Sequence, residues 1–325
     1  MEWSGKMVYV WLVLGFVLLI KGADFFVDGS SSVAKLLKVP TIIIGLTVVA
    51  FGTSMPEASV SITAALKEQN ALAVSNVLGS NLFNLLVVLG CSALFRPLRA
   101  SDSVIKKEFP FSIIITAVLL VLTSNFAFGK ILAGEGEFML GRVSGIILLV
   151  LFVWFLIDQI KGALKARSEM ADEEYETMSP VKSGLFIIIG IAGIVIGGDL
   201  VVDFATEIAR LFGLSETFIG LTIVALGTSL PELVTSMVAA KKGENDLAVG
   251  NVVGSNIFNI LLILGSSAAI SPIAVDINAI YDMAILIVFS VFAYICTKSR
   301  KELSKKEGIL FIMLYAVYFA YIFVR

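Results

Sequence analysis

A chain of 325 residues that is 58% hydrophobic and only 15% charged, with a mean hydropathy of +0.97, lies outside the range of soluble globular domains. It reads as a polytopic membrane protein. Basic and acidic residues nearly balance, 24 against 26, and the absence of histidine excludes imidazole metal ligands and histidine proton relays.

The N-terminal stretch MEWSGKMVYVWLVLGF has no basic segment leading to a small-residue cleavage site, so the first apolar run is expected to be a retained helix. Ten runs of membrane-spanning length follow one another, approximately at 8–30, 41–66, 71–95, 108–124, 138–160, 183–209, 216–240, 246–270, 279–297 and 307–324. The two cysteines, Cys91 and Cys296, fall in separate apolar runs without metal-site spacing and are expected to pack as small residues. Between the fifth and sixth runs lies ALKARSEMADEEYETMSPVKSG, whose acidic cluster (Asp172, Glu173, Glu174, Glu176) is expected to be a solvated linker. Lysine and arginine concentrate in the loops after the first, third, fifth, seventh and ninth runs. The excess of basic residues on the inner side then places both termini outside and the linker in the cytoplasm.

Sliding the chain by a constant 175 residues (227 − 52, the glycines that open two matching motifs) aligns Val39–Leu98 with Leu214–Ile273 without a gap, about half of the positions being identical. The match extends upstream to pair Asp24 with Asp199 and Asp28 with Asp203. The matching runs are the second and the seventh, five spans apart, so the second copy enters the membrane from the opposite side. The predicted fold is all-α, ten transmembrane helices arranged as two inverted five-helix repeats: 1–165, a linker at 166–182, and 183–325.

Each copy places a proline and a glutamate inside an apolar span, as GTSMPE and GTSLPE. Thr53, Glu57 and Ser61 recur at i, i+4 and i+8, as do Thr228, Glu232 and Ser236, which lines one helix face with hydroxyl, carboxylate and hydroxyl. Pro56 and Pro231 lack an N–H, so each helix is expected to break and to free carbonyl oxygens near Ala50 and Ala225. The following run supplies an opposite wall: Asn76, Ser80 and Asn84 in one copy, Asn251, Ser255 and Asn259 in the other. Two carboxylates with amide, hydroxyl and carbonyl oxygens suit a hard cation such as Ca²⁺, and two ionised glutamates held close together demand a cation or a proton. For Asp24, Asp28, Asp199 and Asp203, cation recruitment at the mouths and stabilisation of helix ends, with Lys21 pairing Asp24 at i, i+3, both remain open.

These strings, GTSMPE with SNVLGSNLFN and GTSLPE with GNVVGSNIFN, resemble the two α-repeats of the cation/Ca²⁺ antiporter superfamily, most closely its prokaryotic sodium/calcium exchangers. The resemblance covers both repeats and implies a cell-membrane antiporter, not an enzyme, in which Na⁺ drives Ca²⁺ the other way. It implies that Glu57 and Glu232 with Thr53 and Thr228 hold Ca²⁺. Ser54, Ser80 and the Ala50 carbonyl, with Ser229, Ser255 and the Ala225 carbonyl, would complete flanking Na⁺ sites. Asn84 and Asn259 stand where some relatives carry aspartate, which makes potassium dependence less expected. Ca²⁺ and Na⁺ are the transported ions; no cofactor, nucleic acid or obligate protein partner is expected, only the bilayer. The rival readings are a Ca²⁺/H⁺ antiporter, which lacks its branch's GN-x-x-E-H string here, a K⁺-dependent exchanger, and more remotely an intramembrane hydrolase on Ser54 or Ser229, which lacks a histidine or lysine base.

Overall fold

The computed structural model describes residues 5–67, 70–125, 127, 129, 131, 136, 138–169, 177–213, 223 and 225–324. The first span, α1 (Gly5–Leu37), is followed by a broken one, α2 (Thr41–Thr53) and α3 (Met55–Leu66), bent by 53°. Next come α4 (Leu72–Phe95), α5 (Phe109–Ser124) and α6 (Arg142–Glu169). The second half holds α7 (Pro180–Leu211), the short α8 (Ala225–Gly227), α9 (Leu230–Lys242), α10 (Asn245–Ile270), α11 (Ile277–Arg300) and α12 (Lys305–Val324).

Among the described residues, α1, α4, α6, α7, α10 and α11 are each long and apolar enough to cross a membrane, and the α2–α3 pair makes a seventh span. The shorter α5, α9 and α12 occupy the expected fourth, seventh and tenth positions. Residues 214–222 and 224, at the start of the seventh run, and 170–176 of the linker lie outside the described residues.

Polarity runs inside out relative to a soluble protein. Val150, Ile188 and Val288 are 62%, 67% and 63% exposed, as lipid-facing side chains are, while serines, threonines and asparagines are buried among the apolar residues of the interior. The centre is occupied by α4 and α10, 78% and 94% buried along their apolar windows against 28% for α7.

The fifth span differs from expectation at its start. Phe138–Leu140 is not helical but forms a strand, β2, which pairs antiparallel with β3 (Ile273–Val275), Phe138 opposite Val275. The mirror pairing joins β1 (Leu98–Arg99) to β4 (Glu302–Leu303). Each ribbon ties one repeat to the other at a membrane edge, where the chain must satisfy its backbone outside a helix. Beside the β1–β4 ribbon, Asp102 accepts from Lys301 at 2.6 Å and from Lys106 at 2.9 Å, and these lysines hold its carboxyl at about 2. A carboxyl held below its ordinary value contributes stability at neutral pH that is lost as pH falls towards 2.

The repeats also pack helix against helix. Gly145 of α6 meets the backbone of α10, where an added Cβ would lie 2.6 Å from the Ala269 nitrogen. The glycines of α1 and α7 line the contact between those two helices: a Cβ on Gly22 would lie 2.6 Å from the Ile194 nitrogen, and one on Gly190 2.6 Å from the Phe26 nitrogen. Small residues let the two backbones approach closely, which couples α1 and α7 as one unit. Gly22→Val is therefore expected to destabilise the protein by about 1–3 kcal/mol through backbone displacement. Gly184→Val, on α7 with nothing within 4 Å of the added carbon, is expected to be tolerated. Thermal unfolding followed by size-exclusion chromatography in detergent distinguishes the two.

Candidate cation site

The break in each motif helix has a local cause. Ser54 leaves the helical region (φ −82°, ψ 8°), and so does Ser229 (φ −92°, ψ 5°). Each is followed by a new helix with proline in its first turn. Proline is tolerated there because the first-turn N–H groups have no intrahelical acceptor. The two serines occupy the N-cap position, yet neither side chain caps its own helix. Their hydroxyls instead cross to the other repeat.

Ser54 donates to Glu232 Oε1 at 3.0 Å, and Ser229 donates to Glu57 Oε1 at 2.9 Å. A second hydroxyl reaches each carboxylate from the neighbouring central helix: Ser80 to Glu57 at 3.1 Å and Ser255 to Glu232 at 3.3 Å. Both glutamates are 0% exposed, and each retains a buried Oε2 without a hydrogen-bond partner. Each lies in the first turn of its helix, α3 or α9, where the amide dipoles favour negative charge. Ser80 and Ser229 are themselves 2.8 Å apart, so a hydroxyl from each repeat closes the shell around Glu57.

The remaining expected residues divide. Thr53 joins the cluster, donating to Asn251 Oδ1 at 2.9 Å and lying 3.5 Å from Ser255 Oγ. Asn259 reaches it by donating to Ser80 Oγ at 3.4 Å. The Thr228 hydroxyl and the Asn84 amide are buried without a partner. Ala50 does not lose its helical bond as expected: its carbonyl accepts the Ser54 N–H at 3.0 Å, because the interruption begins at Ser54 itself. In the second copy the Ser229 N–H turns to Leu226 O at 3.2 Å, one residue short of its α-helical acceptor Ala225. Ser61 and Ser236 fasten helices: Asn76 donates to Ser61 at 2.9 Å and Asn251 to Ser236 at 3.0 Å.

Two features escaped the sequence reading. Asn84 and Asn259 each open a π-helical turn, Asn84–Val88 and Asn259–Leu264, which rephases the central helices next to the glutamates. Asn81 and Asn256 also enter, joined across the repeats; their identity in both copies of GSN was the available signal.

Among the described residues no three histidine, cysteine or acidic side chains converge as a metal cluster. The site has two carboxylates with neutral oxygens around them, all inside a scaffold of two inverted repeats. That combination defines a secondary transporter of small cations, which must release its ion as readily as it binds it.

The chain belongs to the sodium/calcium exchanger family, whose model matches residues 7–161 and 182–324. It is 38% identical to the inner membrane protein YrbG of Escherichia coli over 309 residues, 92% of this chain and 91% of that one. It is 32% identical to the sodium/calcium exchanger MaX1 of Methanosarcina acetivorans, covering 96% of this chain and 97% of that one. Among solved structures it superposes on the sodium-calcium exchanger NCX_Mj with a TM-score of 0.82 and 31% identity, over 97% of this chain and 98% of that one.

Glu57→Gln and Glu232→Gln are each expected to abolish Ca²⁺ transport while leaving a folded protein, since one carboxylate leaves a divalent ion underneutralised away from water. Uptake of ⁴⁵Ca²⁺ into proteoliposomes alongside a size-exclusion profile checks both halves of that expectation.

Proposed function

We propose that the chain exchanges Na⁺ for Ca²⁺ by alternating access, with Glu57, Glu232, Thr53 and Thr228 holding Ca²⁺. In this reading the hydroxyls of Ser54, Ser80, Ser229 and Ser255 and the carbonyls of Ala50 and Ala225 complete flanking Na⁺ sites, and the Asn84 and Asn259 amides close the cavity. The observation that carries it is the pair of fully buried glutamates, each held by hydroxyls from both repeats and each keeping one unpartnered oxygen. The two carboxylates are the charge that either load must balance, so Ca²⁺ and Na⁺ compete for them in turn.

Alternation finds support in a consistent asymmetry between the repeats. Thr53 bonds Asn251, whereas the mirror residue Thr228 has no partner. At one end of the molecule Lys242 of α9 bonds the Asp24 carbonyl at 3.0 Å and Asp28 Oδ1 at 2.8 Å, fastening α9 to α1. Lys21 adds a weaker pair to Asp24 at 3.5 Å, so these acids bind lysines as well as ending a polar mouth. The mirror residues, Lys67, Asp199 and Asp203 (each 175 positions away), are exposed, and none is in an ion pair among the described residues. Among the described residues the fastening is present at one end and its mirror pairs are not, the asymmetry a two-sided gate would show. The coupled α1–α7 pair is the element placed to move.

In the orientation we favour, both termini lie outside and the linker and Lys242 face the cytoplasm. A cysteine at Glu174, in a Cys91→Ser, Cys296→Ser background, is then expected to react with a membrane-impermeant maleimide only after permeabilisation of intact cells. Function is tested by ⁴⁵Ca²⁺ uptake into proteoliposomes under imposed Na⁺, K⁺ or H⁺ gradients. An outward Na⁺ gradient alone is expected to drive accumulation; accumulation driven by a proton gradient, or a requirement for K⁺, points to one of the rival couplings.

A further inference from the structure

We propose that Asn81 and Asn256 are positioning residues for the site amides, Asn81 holding Asn259 and Asn256 serving Asn84, so that each amide turns its oxygen to the cation. The proposal rests on the reading of Asn259 and Asn84 as part of the cation cavity. An amide is two-faced: its oxygen ligates a cation and its NH₂ group repels one. A side chain free to turn about its last torsion presents the wrong end as easily as the right one, so a site built with asparagine needs something to decide.

The decision comes from a reciprocal clasp. Asn81 Nδ2 donates to the Asn256 backbone carbonyl at 3.3 Å, and Asn256 Nδ2 donates to the Asn81 carbonyl at 3.2 Å. The two residues are mirror mates (256 − 81 = 175), 0% and 3% exposed, and their clasp joins the central helices α4 and α10. Each amide nitrogen is spent on a carbonyl, which fixes the amide orientation and aims each Oδ1 elsewhere.

Asn81 Oδ1 accepts Asn259 Nδ2 at 2.9 Å. The Asn259 nitrogen is thereby anchored, and its Oδ1 is left buried and without a partner. In the other half the corresponding donor and acceptor, Asn84 Nδ2 and Asn256 Oδ1, are both buried and both unpartnered, so the mirror bond has its two ends in place. The clasp also accounts for asparagine at 259. A carboxylate there would set an acceptor against Asn81 Oδ1, and Asn81 cannot turn to offer its nitrogen without abandoning the Asn256 carbonyl.

The test is a double-mutant cycle read on the KM for Ca²⁺ of Na⁺-driven uptake in proteoliposomes. Asn81→Ala removes two hydrogen bonds and is expected to raise KM about tenfold, the effect of losing the one that anchors Asn259. The double variant Asn81→Ala/Asn259→Ala is expected to match Asn259→Ala alone, because Asn81 acts through Asn259. Asn259→Asp is expected to raise KM in the parent and to lose that penalty in the Asn81→Ala background. The mirror cycle, Asn256→Ala with Asn84→Ala, follows the same rule. Where Asn81→Ala yields no folded protein, Asn81→Ser, which keeps a buried hydroxyl too short to span both partners, takes its place. Additive KM effects, or a fall in maximal rate with KM unchanged, overturn the positioning role while parental uptake stands. Absence of Na⁺-driven uptake in the parent overturns the exchange reading and this inference with it.

Discussion

A carboxylate withdrawn from water must be matched by positive charge or give up its own, and this fold withdraws two of them to the same place. Among the described residues no lysine or arginine bonds Glu57 or Glu232; what surrounds them is hydroxyl, amide and helix N-terminus. Those groups soften the charge without cancelling it. The architecture follows from that shortfall. The helices break at Ser54 and Ser229 so that first-turn dipoles and uncapped serines point inward. The π turns at Asn84 and Asn259 rephase the central helices beside the carboxylates, and the glycine-lined contacts bring the supporting helices into close approach.

Much of this was legible in the chain itself. Apolar runs of spanning length locate the helices because hydrocarbon leaves the backbone no other partner, and the 175-residue offset reveals inversion because five spans is an odd number. The proline beside each glutamate announces a broken helix. What the chain could not announce is which side chain meets which across a repeat boundary. Ser54 reads as a neighbour of Glu57 three positions on, yet its hydroxyl serves Glu232, 178 positions away. Asn81 sits among apolar residues one place from Ser80, and only the packing of α4 against α10 brings it to Asn256. Phe138–Leu140 is too short to display the two-residue period of a strand, and its apolar composition reads as the start of a helix.

The pseudo-symmetry is broken in a patterned way. Thr53, Lys242 and Asn259 are each engaged, whereas among the described residues their mirror mates Thr228, Lys67 and Asn84 have no such partner. A duplicated sequence folded into two unequal halves points to a second arrangement, the one in which the halves exchange roles. An inverted repeat thus encodes both endpoints of a motion in one set of contacts, each described by the other's partner list.

The crossing of hydroxyls between repeats bears on how such a protein could arise. Glu57 depends on Ser229, and Glu232 on Ser54, so neither five-helix half can complete a carboxylate shell from its own residues. The interlocked ribbons β1–β4 and β2–β3 repeat that dependence at the membrane edges. A single half, before any fusion, would have needed a second copy of itself inserted upside down in the same bilayer.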